Sequence, residues 1–498
     1  MFAARVSARN VQRAARSFAT VVESSGVKVA AVENGAPTSS LTVLVKAGSR
    51  YEPKEGVANA LKNFAFKSTA KRTALGTVRE SDLYGGVLSS SLGREHLALS
   101  AEFLKGDDRL RECRAPQELG AGCQSDVWIA ESSFTLSDGS CISIHRSMGA
   151  RQVALIGLGA SSQNDGDLRK WRRATLRLPN PRLLLSDVFV DILTSFITSA
   201  KFTRHEFYVA PLISNDTAAA AANPAIQAIE LAHAIAFRQG LASSLYAPAH
   251  PSIGLKDIQD YAAKVFTKEN IAVVGTGIEQ SKLTELVNKA FANAASSSGP
   301  TSSSTRYFGG ENRIEGTGPQ TAFIGIGTMG APSAEVATLA AYLNPSPSVK
   351  WSKGTSPIAA ALPEGASVQS VYLPYSDASL VGLLVQAPTA ALKEAGSVAV
   401  SALKKAASGI SQEELASAVA RAKFAAASAA DARAGVVEAI GAKIFSGSEI
   451  SLASTLSAFD AVDASAFSKA AAELVKAKPT YVAVGDIVSL PYADELGL

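Results

Sequence analysis

Three polar side chains, Asn59, Lys62 and Asn63, stand at the spacing of a metal-binding helix motif. Residues at i, i+3 and i+4 share one helix face, and His-x-x-Glu-His at this spacing supplies two zinc ligands and a general base. Here amides occupy both histidine positions, and an ammonium occupies the glutamate position. An amide is a poor zinc ligand, and an ammonium can neither activate a water as a base nor lie comfortably beside a divalent cation. The spacing of the motif is therefore kept while its chemistry is removed.

The surrounding residues predict a strand, a loop and a helix that would position these side chains. Residues 41–46 alternate and are β-branched, which is typical of a strand. Residues 48–52, Gly-Ser-Arg-Tyr-Glu, then form a loop before the helix that begins near Gly56. The inner face of that helix is predicted to consist of Val57, Leu61, Phe64 and Ala65.

This strand–loop–helix frame resembles the first unit of the pitrilysin-like metallopeptidases, whose inverted zinc motif is His-x-x-Glu-His. The resemblance implies an α+β fold of two homologous lobes, each a mostly antiparallel sheet packed with helices. It also implies an inactive homologue with no catalytic, cofactor-binding or metal-binding residue. The degenerate zinc-motif positions are Asn59, Lys62 and Asn63.

The first residues of the chain predict a mitochondrial transit peptide. Arginines recur at positions 5, 9, 13 and 16, and no acid precedes Glu23. Residues 1–18 are the predicted transit peptide, with cleavage after Phe18. No apolar run approaches the ~20 residues of a membrane span, so we expect a protein that is soluble or peripheral to the membrane.

Composition excludes several classes of protein. A chain of 498 residues is long enough for two or more domains, and 47% hydrophobic with 18% charged residues is ordinary for a globular protein. The net charge of +4 falls to about zero without the four arginines of the transit peptide, so no nucleic-acid partner is expected. Three cysteines exclude a disulfide scaffold.

The chain reads as a duplicated unit divided by a Ser-rich linker. The linker is predicted at 295–305, between an N-terminal lobe at 19–294 and a C-terminal lobe at 306–498. A helix pattern at 261–265 precedes a buried strand at 271–275, and residues 471–475 and 481–485 repeat this spacing. Both halves also contain a capping box, at Thr203 with Glu206 and at Ser411 with Glu414.

One block, about 108–187, does not fit the duplication. It separates the strand at 96–103 from its helix, whereas the matching strand and helix of the second half are separated by a few residues around Pro388. Its apolar residues show no sustained helix or strand period. Three interpretations are open: an inserted loop, a Cys3His metal module, or translated non-coding sequence, which we favour. The metal module would use Cys113, Cys123, Cys141 and His145.

Other motif matches favour structural roles. Gly325-Ile326-Gly327-Thr328-Met329-Gly330 matches G-x-G-x-x-G, but no acid follows at the spacing that a dinucleotide site needs. We interpret it as a strand–turn–helix unit. His205-Glu206 lacks the second histidine of a zinc motif, and His96, His233 and His250 are isolated, so each is expected to be structural.

Taken together, the chain resembles the core-protein family of mitochondrial ubiquinol–cytochrome c reductase (complex III), in particular its core protein 2 branch of fungal type. Residues 65–69, 202–207 and 307–313 carry this resemblance. It implies a non-catalytic structural or assembly subunit on the matrix side of the inner membrane. The implied partners are core protein 1 and other complex III subunits, with no cofactor and no small-molecule substrate. The alternative is the non-catalytic α-subunit of the mitochondrial processing peptidase, which binds presequences through a Gly-rich loop.

Overall fold

A computed structural model describes most of the chain. The described residues are 20–24, 26–32, 36–105, 128–135, 141–147, 153–158, 185–208, 211–248, 252–292, 294–296, 299–300, 304–346, 356–431, 441, 443–445 and 452–498. They form two compact units. The first contains the described residues up to Lys105 and from Phe189 onwards, and the second those between Gly106 and Val188. The predicted transit peptide lies outside the described residues.

The first unit contains a six-stranded sheet in its N-terminal half. The strand order is β1-β2-β9-β3-β5-β4, and only the β2–β9 pair is parallel. The strands are β1 Thr20–Ser24, β2 Val27–Val32, β3 Thr38–Val45, β4 Val87–Leu92, β5 Leu97–Leu104 and β9 Ile271–Thr276.

A five-stranded sheet in the C-terminal half repeats this topology. Its order is β10-β14-β11-β13-β12, and only the β10–β14 pair is parallel. The strands are β10 Gly310–Glu315, β11 Gln320–Met329, β12 Ser367–Pro374, β13 Ala378–Ala387 and β14 Thr480–Gly485. Taken in sheet order, these five strands occupy the positions of β2, β9, β3, β5 and β4 in the first sheet. The predicted α+β fold of two homologous, mostly antiparallel lobes is confirmed.

Helices pack on both sheets. They are α1 Val57–Asn63, α2 Ala74–Leu83, α3 Leu185–Ser199, α4 Arg204–Tyr208, α5 Pro211–Ala221, α6 Pro224–Phe237, α7 Leu255–Val265, α8 Gln280–Phe291, α9 Ala334–Leu343, α10 Pro357–Ala361, α11 Thr389–Ser408, α12 Gln412–Asp431, α13 Leu452–Asp460 and α14 Ala464–Lys476. In the second lobe, β11 and β13 bury one face against α9, α11 and α14 and the other against α6. Burial on both faces explains why β13 is apolar along almost its whole length.

The repeated segments fold as the sequence predicts. Helix α7 leads to β9 and helix α14 leads to β14, at the predicted positions. The capping box at Ser411 is complete, because Glu414 N donates to the Ser411 hydroxyl and Ser411 N donates to the Glu414 carboxylate. The strand–turn–helix interpretation of the Gly-rich run is also confirmed. Gly325 lies inside β11 opposite Gly382, and α9 follows after a short turn.

The predicted linker is attached to the protein at several described points. The Ala295 carbonyl accepts a hydrogen bond from Lys268 N, and the Ser296 hydroxyl donates to Glu269. At its other end Thr305 is buried and donates through its hydroxyl to Asp377. Ser-rich composition alone indicated a flexible segment, because partners so distant in sequence leave no local pattern.

The second unit corrects the prediction for the block at about 108–187. The sequence indicated no regular period there, yet the described residues form an antiparallel sheet of β6 Trp128–Thr135, β7 Cys141–Ser147 and β8 Val153–Leu158. The sequence of strand β7 has apolar residues at the alternate positions Ile142 and Ile144, but two such residues are too few to predict a strand. Cys113 and Cys123 lie outside the described residues.

We expect the block to be dispensable for folding. The rings of Phe103, near the end of β5, and Phe189, in α3, stack with centroids 4.7 Å apart, so the first unit already brings the two flanks together. In the second lobe a single residue, Pro388, makes the same connection. Joining Asp107 to Val188 should therefore give a chain that unfolds cooperatively with unchanged or higher stability, measured by chemical denaturation.

Loss of cooperative unfolding in the shortened chain would contradict that expectation. Peptide mapping of the native protein separately tests the non-coding interpretation. Peptides that contain Trp128 or Trp171 at normal abundance would exclude it.

Candidate functional site

The degenerate motif lies on helix α1, which begins immediately after a left-handed glycine. Gly56 has φ +87°, and a Cβ there would approach Ala247 to 2.9 Å, so glycine is needed for both conformation and space. One Glu52 carboxylate oxygen accepts hydrogen bonds from Gly56 N and Ala58 N, each at 3.1 Å. Glu52 thus satisfies N–H groups at the helix start that have no partner within the helix.

The other Glu52 oxygen is buried and accepts no hydrogen bond from the described residues. Burial raises the pKa of Glu52 to about 7, although the N–H bonds from Ala58 and Gly56 act in the opposite direction. The loop before α1 therefore holds a carboxyl group that resists ionisation.

This raised pKa predicts a pH-dependent stability. Glu52 ionises at a lower pH in the unfolded chain, so the free energy of unfolding should fall as the pH rises from about 4.5 to 7. The contribution is on the order of 3 kcal/mol. Denaturant titrations across this range should show that Glu52→Gln removes much of the fall, whereas Glu394→Gln, at an exposed acid of helix α11, does not. Parallel profiles for the wild type and Glu52→Gln would contradict this assignment.

The two asparagines of the motif bind each other and the backbone. Asn59 is 3% exposed, and its Nδ2 donates to the Leu245 carbonyl at 2.8 Å. Asn63 Nδ2 donates to Asn59 Oδ1 at 3.2 Å. Both amides therefore stabilise the helix in its place, and the Asn59 oxygen is already used as a hydrogen-bond acceptor.

The lysine of the motif forms an ion pair. Lys62 Nζ lies 2.9 Å from Asp216 Oδ2 on helix α5. Where a peptidase needs a carboxylate to activate water, this chain has an ammonium neutralised by an acid from another helix. Among the residues that the structure describes, no group of three His, Cys, Asp or Glu side chains could hold a metal ion.

The loop that carries Arg50 connects the two lobes. Arg50 lies 2.8 Å from Glu95 of the first lobe and 2.7 Å from Asp377 of the second, and its side chain is 5% exposed. The Ser376 N–H and hydroxyl also donate to the Glu95 carboxylate. Burial alone would raise the pKa of Asp377, but hydrogen bonds from Arg50 and Thr305 lower it below its usual value.

Arg50 bridges two equivalent hairpins. Gly93 N donates to the His96 carbonyl and Tyr375 N donates to the Ala378 carbonyl, so both hairpins have two-residue turns. The first turn contains Glu95, and the second contains Ser376 and Asp377. The duplicated lobes thus meet through the tips of corresponding hairpins. We call these two turns, together with Arg50, the hairpin clasp.

A second buried group supports the clasp from helix α6. Arg94 Nη2 lies 2.6 Å from Glu230 Oε1, and Arg94 Nη1 donates to the Leu241 carbonyl. His233 Nε2 is 2.8 Å from the Tyr375 hydroxyl, and burial lowers the pKa of His233 well below its usual value. The structural role predicted for His233 is confirmed.

The side chains of His205 and His96 take no part in this site. His205 and Glu206 lie in the short helix α4, where Glu206 accepts a hydrogen bond from Ser68 N. His96 is half-buried and stacks on Phe445 with ring centroids 5.1 Å apart. His250 lies outside the described residues. In the described part of the chain, no helix is long and apolar enough to cross a bilayer.

Sequence reasoning missed four functional partners: Glu52 as the helix cap, Asp216, Asp377 and the Leu245 carbonyl. Only Glu52 had a local signal, an acid shortly before a helix start. The others lie more than 150 positions from their partners.

Family models match both lobes of the chain. Residues 28–113 match the model described as insulinase (peptidase family M16), and residues 252–422 match the peptidase M16 inactive domain.

Fungal relatives match along nearly the whole chain, each named "Cytochrome b-c1 complex subunit 2, mitochondrial". The protein of Cryptococcus neoformans var. grubii is 37% identical, over 97% of this chain and 95% of the relative. The protein of Neurospora crassa is 32% identical, over 100% of this chain and 95% of the relative. That of Yarrowia lipolytica is 31% identical, over 97% of both. The chain therefore belongs to the M16 peptidase family, within its group of cytochrome b-c1 complex subunit 2 proteins.

Proposed function

We propose that this chain is a non-catalytic structural and assembly subunit of mitochondrial respiratory complex III, the cytochrome b-c1 complex. The observation that carries this function is the full-length similarity to subunit 2 proteins, at 37% identity to the Cryptococcus relative. The chain is not an enzyme, in agreement with its match to an inactive M16 domain.

The local geometry is consistent with a structural role. Asn59, Asn63 and Lys62 each bind another group of the protein, and so do Arg50 and Arg94. A peptidase shell organised in this way keeps two rigid lobes that can present surfaces to other subunits. We propose that it holds no cofactor and no small-molecule substrate.

Its partners are other subunits of complex III. We further propose that core protein 1 is a direct neighbour, and that the chain is peripheral on the matrix side of the inner membrane. The proposed boundaries remain a transit peptide at 1–18, lobes at 19–294 and 306–498, and a linker at 295–305.

The processing-peptidase α-subunit is the second candidate, and it depends on a Gly-rich loop that binds presequences. The glycines of this chain that could form such a loop are Gly309, Gly310, Gly316 and Gly318. Gly310 begins strand β10, and Gly316 N donates to the Gly485 carbonyl in the neighbouring strand. Glycines held at a sheet edge favour the structural subunit over a presequence receptor.

Affinity purification from mitochondria tests the proposed function. A tagged chain should be isolated with the b- and c-type cytochromes of the complex. Isolation in a stable pair with a zinc peptidase subunit would instead establish the α-subunit function.

We further expect the chain to have no peptidase activity. The purified chain should contain no stoichiometric zinc and should cleave no presequence peptide, with or without added metal, because Lys62 and two hydrogen-bonded amides replace the ligands and base. Metal analysis and a peptide-cleavage assay measure this. Chelator-sensitive cleavage that disappears in Asn59→Ala would contradict it.

A further inference from the structure

The two edges of the C-terminal sheet differ in how they are protected. Strand β10 carries Glu311, Arg313 and Glu315, and the C-terminal tail covers it. Arg313 Nη1 donates to the Leu490 carbonyl at 3.0 Å, and Ala493 N donates to the Glu311 carboxylate at 3.3 Å. Charges and covering segments are common means by which proteins prevent unwanted pairing at a sheet edge.

Strand β12 lies at the opposite edge of the same sheet, and among the described residues no other segment forms a backbone hydrogen bond with its outer side. Its eight residues, Ser-Val-Gln-Ser-Val-Tyr-Leu-Pro, contain no charge. It pairs with β13 on one side, and no strand among the described residues pairs with its other side. Its register with β13 shows no bulge, so the edge is eight residues of regular, uncharged strand.

The hairpin geometry shows which backbone groups face outward. Tyr375 N donates to the Ala378 carbonyl, so hydrogen-bonded pairs with β13 fall at every second residue from there, at Leu373, Val371 and Gln369. The N–H and C=O groups of the alternate residues, Val368, Ser370 and Tyr372, point away from β13. Pro374 is another of these outward-facing residues, so its lack of an N–H removes no hydrogen bond to β13.

We propose that the outer edge of β12 receives an extended peptide segment from a neighbouring subunit, which continues the sheet by one strand. This inference rests on the proposed function, since it places the neighbour within the same complex. Addition of a strand to an open edge uses main-chain hydrogen bonds for affinity. The segment that fits is uncharged along its paired stretch, because β12 offers no charged partner and burial of an unpaired charge is unfavourable.

Hydrogen exchange with residue resolution tests the proposal on the full-length chain, isolated and within the purified complex. In the isolated chain the amides of Val368, Ser370 and Tyr372 should exchange fast and those of Gln369 and Val371 slowly. Within the complex the outward amides should slow by at least about tenfold. Slow outward amides in the isolated chain, or fast ones in the complex, would overturn the proposal.

A pair of variants gives an independent measure. Ser370→Pro removes an outward N–H without removing a bond to β13, and Ser370→Ala loses the same hydroxyl bond to the Ala340 carbonyl while it keeps that N–H. Incorporation into the complex should fall for Ser370→Pro and remain at the wild-type level for Ser370→Ala. Equal incorporation of the two variants, with both folded, would overturn the proposal.

A charge on the edge provides a second test. Gln369→Lys should lower incorporation, whereas Gln412→Lys, the same change at an exposed helix position, should not. Equal incorporation of these two variants would also overturn the proposal. If the wild-type chain is absent from the purified complex altogether, it is the proposed function that fails, so the two failures are distinguishable.

Discussion

Replacement of Arg50 by methionine should lower the free energy of unfolding by about 3–5 kcal/mol. Arg50 is buried between Glu95 and Asp377 in the hairpin clasp, and Glu95 is as buried as Arg50 itself. Methionine would fill much of the space but leave a buried carboxylate without its cation. The loss should exceed that of an ordinary surface ion pair, because the buried Glu95 carboxylate cannot regain full hydration in place.

Denaturant unfolding followed by circular dichroism measures this effect. Lys393→Met is the matched control, because the Lys393–Glu495 pair is largely exposed and its loss should cost less than about 1 kcal/mol. A similar small change for both variants would show that the clasp does not stabilise the fold.

Depletion of this chain from its mitochondria should remove most of the mature complex III. A subunit that provides two rigid lobes as a scaffold acts through its surfaces, so its absence leaves the partners' contact surfaces exposed to water. Native gel electrophoresis with detection of the b- and c-type cytochromes measures the complex. Undiminished complex in depleted mitochondria would contradict the proposed function.

Local sequence patterns predicted the framework of the fold. The alternation in residues 41–46 predicted β3, and the spacing of Val57 and Leu61 predicted the buried face of α1, because burial on one side leaves a periodic record. The degenerate motif was likewise predicted from residue types alone, since an ammonium at position 62 excludes a general base in any arrangement. The short strands β6, β7 and β8 were missed. Strands β6 and β7 are interrupted by polar residues, and β8 is a six-residue apolar run without alternation, so none of the three carries a sustained period.

The hairpin clasp could not be predicted from the sequence. Arg50 and Asp377 are 327 positions apart, and neither has a neighbour pattern that indicates the other. Their contact depends on how the duplicated hairpins meet, which is a property of the folded lobes. The same holds for Lys62 and Asp216, which lie on separate helices.

The most direct test of the central claim, that the peptidase frame is used and its chemistry is not, is rescue of the depleted mitochondria by variants. A chain with Lys62→Met and Asn63→Ala changes the degenerate motif, whereas Arg50→Met changes the clasp that holds the lobes together. The measurement is the amount of mature complex III restored, relative to the wild-type chain. We expect near wild-type restoration by the double variant and poor restoration by Arg50→Met. Failure of the double variant, expressed at wild-type level, together with full rescue by Arg50→Met would contradict the account.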